Sequence, residues 1–401
     1  MIAKLFKSEL KGKLSAVPSK SYVHRMLICA ALADGESEIS NYIKSEDILA
    51  SIDCIKSLGA EVTEEGDTLK IKGSGGKKLR DGVFKCRESG STLRFFIPVA
   101  AAKCSSSVFT GSERLMERGV GIYEDILPEK KVFITKDNGE IRVKGALQPG
   151  VYEIPGNISS QYITGLLFAL PLLGGDSEIR VIPPVESRAY IDITIEVLKL
   201  AGICIRETKE NTFEIKGNAK YRPLKERAEG DWSNAAFIYA MNGLGQDIEM
   251  DGLKNDSVQG DRICREHFKR LDRPGAVVDI GGCIDLGPVL FAYAAAKHGG
   301  RFTGTERLKI KESDRAAVMA EELKKFGVQL QVSEKEVIVP EGGIKAPVEI
   351  LDGHNDHRIV MALCALLTVT GGEIKGAEAV KKSYPGFFED LRRIGLNVEI
   401  N

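Results

Sequence analysis

The short motif SKSYVHR, residues 19–25, sets two cations and a hydroxyl group directly before an apolar run. Lys20, Ser21 and Arg25 fall at or near the start of a predicted helix, whose body from Met26 to Leu32 is apolar on nearly every face. Unpaired backbone N–H groups and the helix dipole attract anions to this end of a helix, and the two cations add full positive charges. The motif therefore predicts half of an anion-binding site.

Five later segments repeat this pattern of small or polar residues followed by an apolar run of helix length. They are Arg87 to Ala102, Gly156 to Leu173, Gly230 to Gly243, Cys283 to Ala296 and Asn355 to Thr370. Ser, Asp and Asn before such a run are ordinary helix caps, which is the simpler interpretation of any single segment. Together the segments predict six buried helices with polar amino ends.

Each apolar run leads to a Gly-containing turn, a short strand and an amphipathic helix closed by glycine. Residues 45–59, for example, set Ile48, Ile52 and Ile55 on one helical face. Two strands around a turn finish most units, as in residues 60–73. We predict an α/β fold of six repeats, each with a strand, a buried helix, a strand, an exposed helix and two strands, divided three and three between two domains.

A polar, proline-containing segment from Tyr221 to Gly230 separates the third apolar run from the fourth and predicts a domain boundary. The first strand, residues 1 to about 18, is predicted to join the carboxyl-terminal half. The expected domains are residues 19–227 and residues 1–18 with 228–401, with a two-strand hinge near residues 18–20 and 225–230.

The 401-residue chain has the composition of a globular protein, with 43% hydrophobic and 28% charged residues. Its net charge of -1 gives no global attraction for nucleic acid or an acidic membrane surface. The amino terminus has no signal-peptide pattern, and the longest apolar stretch, Ile359 to Val369, is far shorter than the roughly 20 residues of a membrane span. We expect a cytoplasmic monomer that binds neither nucleic acid nor membrane.

The eight cysteines stand singly, without C-x-x-C spacing and without clustering around the five histidines. Because several lie inside apolar runs, we interpret them as small core residues in a reducing compartment. The pattern favours neither a disulfide frame nor a zinc site.

More polar residues collect at helix starts and turns than capping requires. They are Ser89, Gly90, Ser91 and Arg94; Arg118; Ser159, Ser160 and Gln161; Ser187 and Arg188; Asp285; Lys309 to Arg315; Asp356, His357 and Arg358; and Lys382. Any one of them alone is best interpreted as a cap, a turn or a solvated charge. If the helix amino ends of two domains face each other, these residues form a cationic cleft in a neutral protein. That arrangement predicts a small ligand with several negative charges.

Seven separated motifs agree with one known family in identity, order and distance along essentially the whole chain. They are SKS-x-x-x-R at 19–25, GSTLR at 90–94, ISSQ-x-x-T at 158–164, S-x-x-YIDIT at 187–194, IKESDR at 310–315, NDHR at 355–358 and KSYPGFF at 382–388. In these motifs the chain resembles the 3-phosphoshikimate 1-carboxyvinyltransferase family, the 5-enolpyruvylshikimate-3-phosphate synthases. The resemblance implies a two-domain inverse α/β barrel, each domain having three βαβαββ units with buried central helices.

The resemblance implies a transferase of the shikimate pathway, which leads to chorismate and the aromatic amino acids. The family transfers the carboxyvinyl group of phosphoenolpyruvate to the 5-hydroxyl of shikimate 3-phosphate and releases phosphate, with no metal and no organic cofactor. The expected partners are therefore these two small anions. Two phosphates and two carboxylates need about as many cations as the motifs supply.

By matched motif, the resemblance assigns a set of residues to each substrate. Shikimate 3-phosphate is expected at Lys20, Ser21, Arg25, Ser159, Ser160, Gln161, Ser187, Tyr190, Asp285 and Lys311. Phosphoenolpyruvate is expected at Lys20, Gly90, Arg118, Gln161, Arg315, His357, Arg358 and Lys382. Gly90 has no side chain, which would let the ligand approach the backbone.

The resemblance also implies addition followed by elimination through a tetrahedral intermediate. Asp285 is expected to take the proton of the 5-hydroxyl, and either Glu312 or Lys20 to protonate the methylene carbon of phosphoenolpyruvate. A carboxyl group in that role needs a raised pKa, whereas Lys309, Lys311 and Arg315 near Glu312 should lower its pKa. The identity of the proton donor stays open at this point.

Two positions depart from the family's commoner residue. Glu88 and Arg307 each stand where relatives often have Asn. We expect Glu88 to alter contacts to phosphoenolpyruvate and Arg307 to alter contacts to the substrate hydroxyl groups.

Two other functions share parts of the pattern. UDP-N-acetylglucosamine 1-carboxyvinyltransferases have the same fold and chemistry but typically use a cysteine near Arg118, whereas residues 110–121 contain none and Cys104 is expected at a helix end. A non-catalytic phospho-ligand or nucleic-acid-binding relative would show a basic stripe with interleaved aromatics, and it would lack Asp285 with Glu312. Aromatic residues form only 6% of the chain, which argues against that class.

Overall fold

The computed structural model describes all 401 residues, and the chain divides into two compact units. The middle unit is Pro18–Glu229, and the terminal unit is Met1–Val17 together with Gly230–Asn401. The chain therefore crosses between units twice, and both crossings lie within two residues of the boundaries that the sequence predicts. The hinge at these crossings stays a prediction.

Thirteen α-helices are distributed over the two units. Helices α1 to α7 of the middle unit are Lys20–Leu32, Glu46–Ser57, Gly90–Lys103, Glu113–Arg118, Gly121–Ile126, Ser160–Ala169 and Arg188–Leu200. Helices α8 to α13 of the terminal unit are Trp232–Gly243, Cys264–Leu271, Gly287–Ala296, Arg315–Lys325, His357–Thr370 and Phe387–Arg393. Short 3-10 helices lie at Pro128–Lys130, Leu170–Leu172, Gly260–Ile263, Ile284–Leu286, Glu306–Ile310 and Ala377–Lys382.

Twenty-two short strands complete the fold. Strands β1 to β11 are Ile2–Leu5, Lys11–Ser15, Glu36–Ser40, Glu61–Glu65, Thr68–Lys72, Leu79–Lys85, Cys104–Thr110, Val132–Asp137, Glu140–Gly145, Val151–Pro155 and Ser177–Ile182. Strands β12 to β22 are Ile205–Lys209, Thr212–Ile215, Lys225–Arg227, Asp247–Asp251, Val277–Asp279, Gly300–Thr303, Gln331–Val332, Glu336–Val339, Leu351–Asp352, Gly372–Lys375 and Val398–Ile400.

Five of the six sheets have four strands in one shared arrangement, a parallel pair followed by two antiparallel pairs. The orders are β14-β3-β5-β4, β6-β7-β9-β8, β10-β11-β13-β12, β16-β17-β19-β18 and β20-β21-β1-β22. The sixth sheet contains only β15 and β2, in parallel. The predicted set of strands is present in five copies, although the first and sixth copies each take one strand from a distant part of the chain, while the fourth copy lacks the two closing strands.

Two segments differ from their predicted structure. Residues 1–18 form two strands rather than one, and these strands complete different repeats, because β1 pairs with β21 and β22 whereas β2 pairs with β15. The boundary segment 221–230 is not only a linker, since its strand β14 pairs in parallel with β3. The first repeat thus takes its opening strand from residues that follow the third repeat. Local sequence patterns do not report such long-range pairing.

The six predicted buried helices are confirmed as α1, α3, α6, α8, α10 and α12. Every residue from Tyr22 to Leu32 of α1 is buried, as is every residue from Gly287 to Ala295 of α10. In the terminal unit α10 packs against both α8 and α12, and in the middle unit α3 packs against α6. An apolar helix without a polar face is stable only inside a core, so these helices form the cores of the two units.

The cysteines are all thiols, and each except Cys204 is buried, as the sequence predicts. Cys104 lies at a helix end, as expected: it directly follows the last residue of α3 and is also the first residue of β7. No helix in the structure combines the length and the apolar character that crossing a membrane requires.

Candidate active site

The amino ends of the six buried helices have no acidic residue in the first turn. The outer helix α2, by contrast, begins with Glu46 and Asp47, which is the usual way to offset a helix dipole. A single capping side chain satisfies only some of the free backbone N–H groups at such an end. Asp231, for example, accepts from the N–H of Asn234 at 2.8 Å. The remaining N–H groups and the dipole favour anions at these ends.

In the middle unit, Arg25 of α1 contacts both Ser21 and Tyr190. Arg25 is buried and donates from Nη1 to the carbonyl of Ser21 at 2.8 Å and from Nη2 to the carbonyl of Tyr190 at 2.9 Å. Its Nε donates to Thr194 Oγ1 at 2.8 Å, and burial lowers the pKa of Arg25 to about 10. These bonds join the amino ends of α1 and α7.

Lys20 is the first residue of α1, and its ammonium group contacts a carboxylate on the neighbouring helix. Lys20 Nζ lies 2.7 Å from Asp47 Oδ2, and the two side chains are only 17% and 12% exposed. Asp47 therefore holds the lysine in one direction at the amino end of α1. Sequence reasoning did not single out Asp47, although an acidic residue in the first turn of α2 was a visible signal.

The start of α3 brings together Gly90, Arg118 and Gln161 around Arg94. Gln161 Oε1 accepts from Arg94 Nη1 at 2.9 Å, and Gln161 Nε2 donates to Ser91 Oγ at 2.9 Å. A Cβ atom built on Gly90 would lie 2.8 Å from Arg94 Nη1 and 3.2 Å from Arg118 Nη2. Two guanidinium groups thus approach the glycine backbone. Arg94, which the sequence placed in the predicted cationic cleft but the resemblance assigned to neither substrate, belongs to this group.

The three other predicted serines of the middle unit lie at the starts of two further helices. Ser159 caps α6, its Oγ accepting from the N–H of Gln161 at 3.3 Å, and the buried Ser160 is the first residue of that helix. Ser187 is buried directly before α7 with φ 56°, in the left-handed region that few non-glycine residues adopt. Helices α6 and α7 are in contact through Thr164 Oγ1 and Thr194 Oγ1, which lie 2.9 Å apart.

In the terminal unit, Asp285 lies among three cations. Its carboxylate is 2.8 Å from Arg315 Nη1, 3.1 Å from Lys311 Nζ and 3.3 Å from Arg358 Nη2. Burial by itself would raise the pKa of Asp285, but the charges of Arg358, Lys311 and Arg315 hold this pKa well below its ordinary value. The structure therefore brings these four predicted residues together.

Arg315 is itself buried and bridges Asp285 to a second carboxylate, Asp356. Its Nε donates to Asp356 Oδ2 at 2.8 Å and its Nη2 to Asp356 Oδ1 at 3.3 Å, in a two-pronged contact. Asp356 also accepts from the hydroxyl of Ser313 at 3.0 Å and caps α12 through the N–H of Arg358 at 2.9 Å. Asp356 thus fixes the starts of both α11 and α12.

Glu312 and His357 form a second pair in the terminal unit. Glu312 Oε2 lies 3.0 Å from His357 Nδ1. Burial would raise the pKa of Glu312, but His357, Arg315 and Lys382 outweigh it and hold this pKa well below the ordinary value. The direction agrees with the sequence-based expectation, although His357, the first residue of α12, is the principal cause of the lowered pKa.

Lys382 and Lys311 differ in their surroundings. Lys382 is buried and donates from Nζ to the backbone carbonyl of Asn355 at 2.6 Å. Burial lowers the pKa of Lys311 to about 8, against the raising effect of Asp285.

Arg307, one of the two departures from the family pattern, is buried and donates to the carbonyl of Gly281.

The three groups Glu312, Asp356 and His357 are close enough to suggest a cation site. Arg315 lies among them, at 2.8 Å from Asp356 and 4.0 Å from Glu312, and its guanidinium group already supplies the positive charge. The donor set is therefore satisfied without a metal ion.

A family model and several relatives match nearly the whole chain. The family model described as EPSP synthase (3-phosphoshikimate 1-carboxyvinyltransferase) matches residues 6–391. A protein of that name from Clostridium kluyveri is 40% identical, covering 98% of this chain and 97% of its own length. Another from Clostridium perfringens is 39% identical, with 97% of each chain covered.

Solved structures share the fold over the whole length. EPSP synthase from Acinetobacter baumannii superposes with a TM-score of 0.81 at 23% identity, covering 100% of this chain and 99% of that one. The enolpyruvyl transferase NikO from Streptomyces tendae superposes with a TM-score of 0.79 at 14% identity, covering 99% and 98%. By its match over residues 6–391 and its identity to these relatives, the chain belongs to the EPSP synthase family.

Proposed function

We propose that this chain transfers the carboxyvinyl group of phosphoenolpyruvate to the 5-hydroxyl of shikimate 3-phosphate and releases phosphate. Membership of the family makes the chain a transferase of aromatic amino acid biosynthesis that uses these two substrates. The observation that carries the chemical assignment is the carboxylate of Asp285 within 3.3 Å of Arg315, Lys311 and Arg358. A carboxylate among cations of this density suits proton transfer on a polyanionic substrate.

Shikimate 3-phosphate is assigned to the helix starts α1, α6 and α7 of the middle unit, with Asp285 and Lys311 of the terminal unit. The residues of the middle unit are Lys20, Ser21, Arg25, Ser159, Ser160, Gln161, Ser187 and Tyr190. Hydroxyl groups and backbone N–H groups at such starts suit a phosphate, because they donate hydrogen bonds where the helix dipole is positive. The contacts of Arg25 with Ser21 and Tyr190 support a role in shaping this site.

Phosphoenolpyruvate is assigned to residues that are mostly cationic. They are Lys20, Gly90, Arg118 and Gln161 of the middle unit and Arg315, His357, Arg358 and Lys382 of the terminal unit. The approach of Arg118 to the bare backbone of Gly90 supports the first group, since a carboxylate or phosphate could contact both. The cluster around Asp285 and Asp356 supports the second.

Asp285 is assigned the role of general base for the 5-hydroxyl. Without ligand its pKa is well below the ordinary value because Arg358, Lys311 and Arg315 outweigh the effect of burial. Anionic substrates that engage the same cations would weaken their hold on Asp285 and raise its pKa, which a base near neutral pH requires.

Lys20 is favoured over Glu312 as the donor of the methylene proton. Without ligand, Glu312 is ionised at neutral pH because His357, Arg315 and Lys382 hold its pKa well below the ordinary value despite burial, and only substrate binding at these groups would raise that pKa. An ionised carboxylate has no proton to give, whereas the ammonium of Lys20, oriented by Asp47 at 2.7 Å, carries one.

The reaction is tested by measuring phosphate release with phosphoenolpyruvate and shikimate 3-phosphate, beside UDP-N-acetylglucosamine as the competing acceptor. We expect release that depends on shikimate 3-phosphate. Release with UDP-N-acetylglucosamine alone would instead identify the other carboxyvinyltransferase. Binding of both substrates without any phosphate release would support a non-catalytic relative.

Gly90→Ala is expected to raise the KM for phosphoenolpyruvate about tenfold or more, with a much smaller effect on shikimate 3-phosphate. The added methyl group would lie 3.2 Å from Arg118 Nη2 and 2.8 Å from Arg94 Nη1, so both guanidinium groups must move. Gly174→Ala is the matched control, because no atom lies within 4 Å of its Cβ position. Equal changes in the KM of both substrates would contradict the assignment of Gly90.

A further inference from the structure

Glu322 on α11 is a fully buried carboxylate that lies outside both sets of assigned substrate residues. Its two oxygens lie 2.9 and 3.0 Å from Lys325 Nζ. Oε1 is also 3.1 Å from His354 Nε2, and Oε2 accepts from the backbone N–H of Asp352 at 2.9 Å. A buried ion pair of this kind often contributes little net stability, because desolvation offsets the attraction. The contacts of Glu322 indicate a second role for this carboxylate.

Two of these partners belong to the segment Asp352–Asp356, which we call the strap. The strap connects β20 to α12, and its residues His354 and Asn355 have φ 48° and 51°, in the left-handed region. Two consecutive non-glycine residues in this region are costly unless the surroundings hold them. Glu322 holds the strap at both Asp352 and His354.

The other side of the strap contacts residues assigned to phosphoenolpyruvate. The carbonyl of Asn355 accepts from Lys382 Nζ at 2.6 Å, and Asp356 binds Arg315 at 2.8 Å. The strap also leads directly into His357 and Arg358 at the start of α12. A shift of the strap would therefore move the groups that orient Lys382 and Arg315.

We propose that Glu322, together with Lys325 and His354, is a positioning residue for the phosphoenolpyruvate site. It acts through the strap and touches no substrate, and the inference rests on the proposed function of Lys382, Arg315 and Arg358. A metal ion is not the purpose of this cluster, although Glu321, Glu322 and His354 lie close together. Lys325 already supplies a positive charge to both oxygens of Glu322.

The first test is Glu322→Gln, with Glu334→Gln as the matched control. Glu334 is exposed in the same unit, so the control removes one negative charge without touching the strap. We expect Glu322→Gln to raise the KM for phosphoenolpyruvate about tenfold, since small displacements of binding groups have effects of that order, and to leave the KM for shikimate 3-phosphate nearly unchanged. The same KM for phosphoenolpyruvate in Glu322→Gln and in the control variant would overturn the proposal.

The second test separates positioning from stability. Replacing Glu322 and Lys325 together by Leu and Met removes both charges, an exchange that buried ion pairs often tolerate. We expect the double variant to regain thermal stability relative to Glu322→Leu alone while its KM for phosphoenolpyruvate stays raised, because His354 and the N–H of Asp352 still lack an acceptor. A KM that returns to normal together with the Tm would mean that Glu322 only stabilises the fold.

The wild-type assay keeps this inference distinct from the proposed function. If the unaltered protein releases no phosphate from the two substrates, the proposed function fails. If it is active and Glu322→Gln leaves the KM for phosphoenolpyruvate unchanged, only the positioning role fails. A parallel rise in the KM for both substrates would also overturn it.

Discussion

Asp285→Ala is expected to lower turnover by roughly 10² or more while both substrates remain bound. The variant lacks the carboxylate that would accept the proton of the 5-hydroxyl. It also lacks the negative charge that competes with anionic substrates for Lys311, Arg358 and Nη1 of Arg315, which lie within 3.3 Å of the carboxylate in the structure. We therefore expect dissociation constants that are unchanged or lower, beside a large loss in kcat.

The measurement is phosphate release at saturating substrate, together with calorimetric dissociation constants. Asp285→Asn tests the same point with the shape conserved, because an amide cannot act as the base, and it should be nearly as impaired. Asp256→Ala, at an exposed position of the same unit, is the control. Turnover near that of the wild type in either Asp285 variant would remove this residue from the mechanism.

Arg315→Met is expected to lower the free energy of unfolding by about 3–5 kcal/mol, the range for breaking a buried ion pair. Asp356 is fully buried and would lose a cation that contacts both of its oxygens, at 2.8 and 3.3 Å. Urea denaturation of the purified variant measures the loss. Arg301→Met is the control in the same unit, because its pair with Glu336 is largely exposed and should contribute only about 0–1 kcal/mol.

The pH dependence of this loss follows from the pKa of Asp356. Burial alone would raise this pKa, but Arg315 lowers it below the ordinary value of 3.8. A carboxylate with a lowered folded pKa stabilises the protein above its unfolded pKa, and this contribution disappears as the pH falls through the folded pKa. Without Arg315, burial should raise the folded pKa of Asp356, so the variant loses most free energy of unfolding at neutral pH. The difference in free energy of unfolding between wild type and variant should therefore shrink as the pH falls from 7 to about 4. A difference that is independent of pH would contradict this explanation.

The secondary structure around the candidate site was predictable because its signals are local. An apolar run preceded by a polar cap, such as Lys20 to Leu32, predicts a buried helix wherever it stands. Six runs of this kind predicted six helix starts, and the structure places Lys20, Gly90, Ser160 and His357 in the first turns of such helices.

Strand pairing was harder to predict from the sequence, because strands that pair across a large sequence separation leave no local pattern. The pairing of β14 with β3 and of β2 with β15 determines how the first and fourth repeats are completed, yet neither pairing changes the periodicity of the strands involved. For the same reason residues 1–18 were predicted as one strand, whereas they form two with different partners.

The sequence by itself determined which helices are buried, which charged residues stand at their amino ends, and, through seven separated motifs, which family the chain belongs to. Only the tertiary structure decided which charges meet: Arg315 with Asp356, Glu312 with His357, Lys20 with Asp47, and Glu322 with the strap. Helix burial depends on the periodicity of neighbouring residues, whereas an ion pair depends on distances that are set when separate helices pack together.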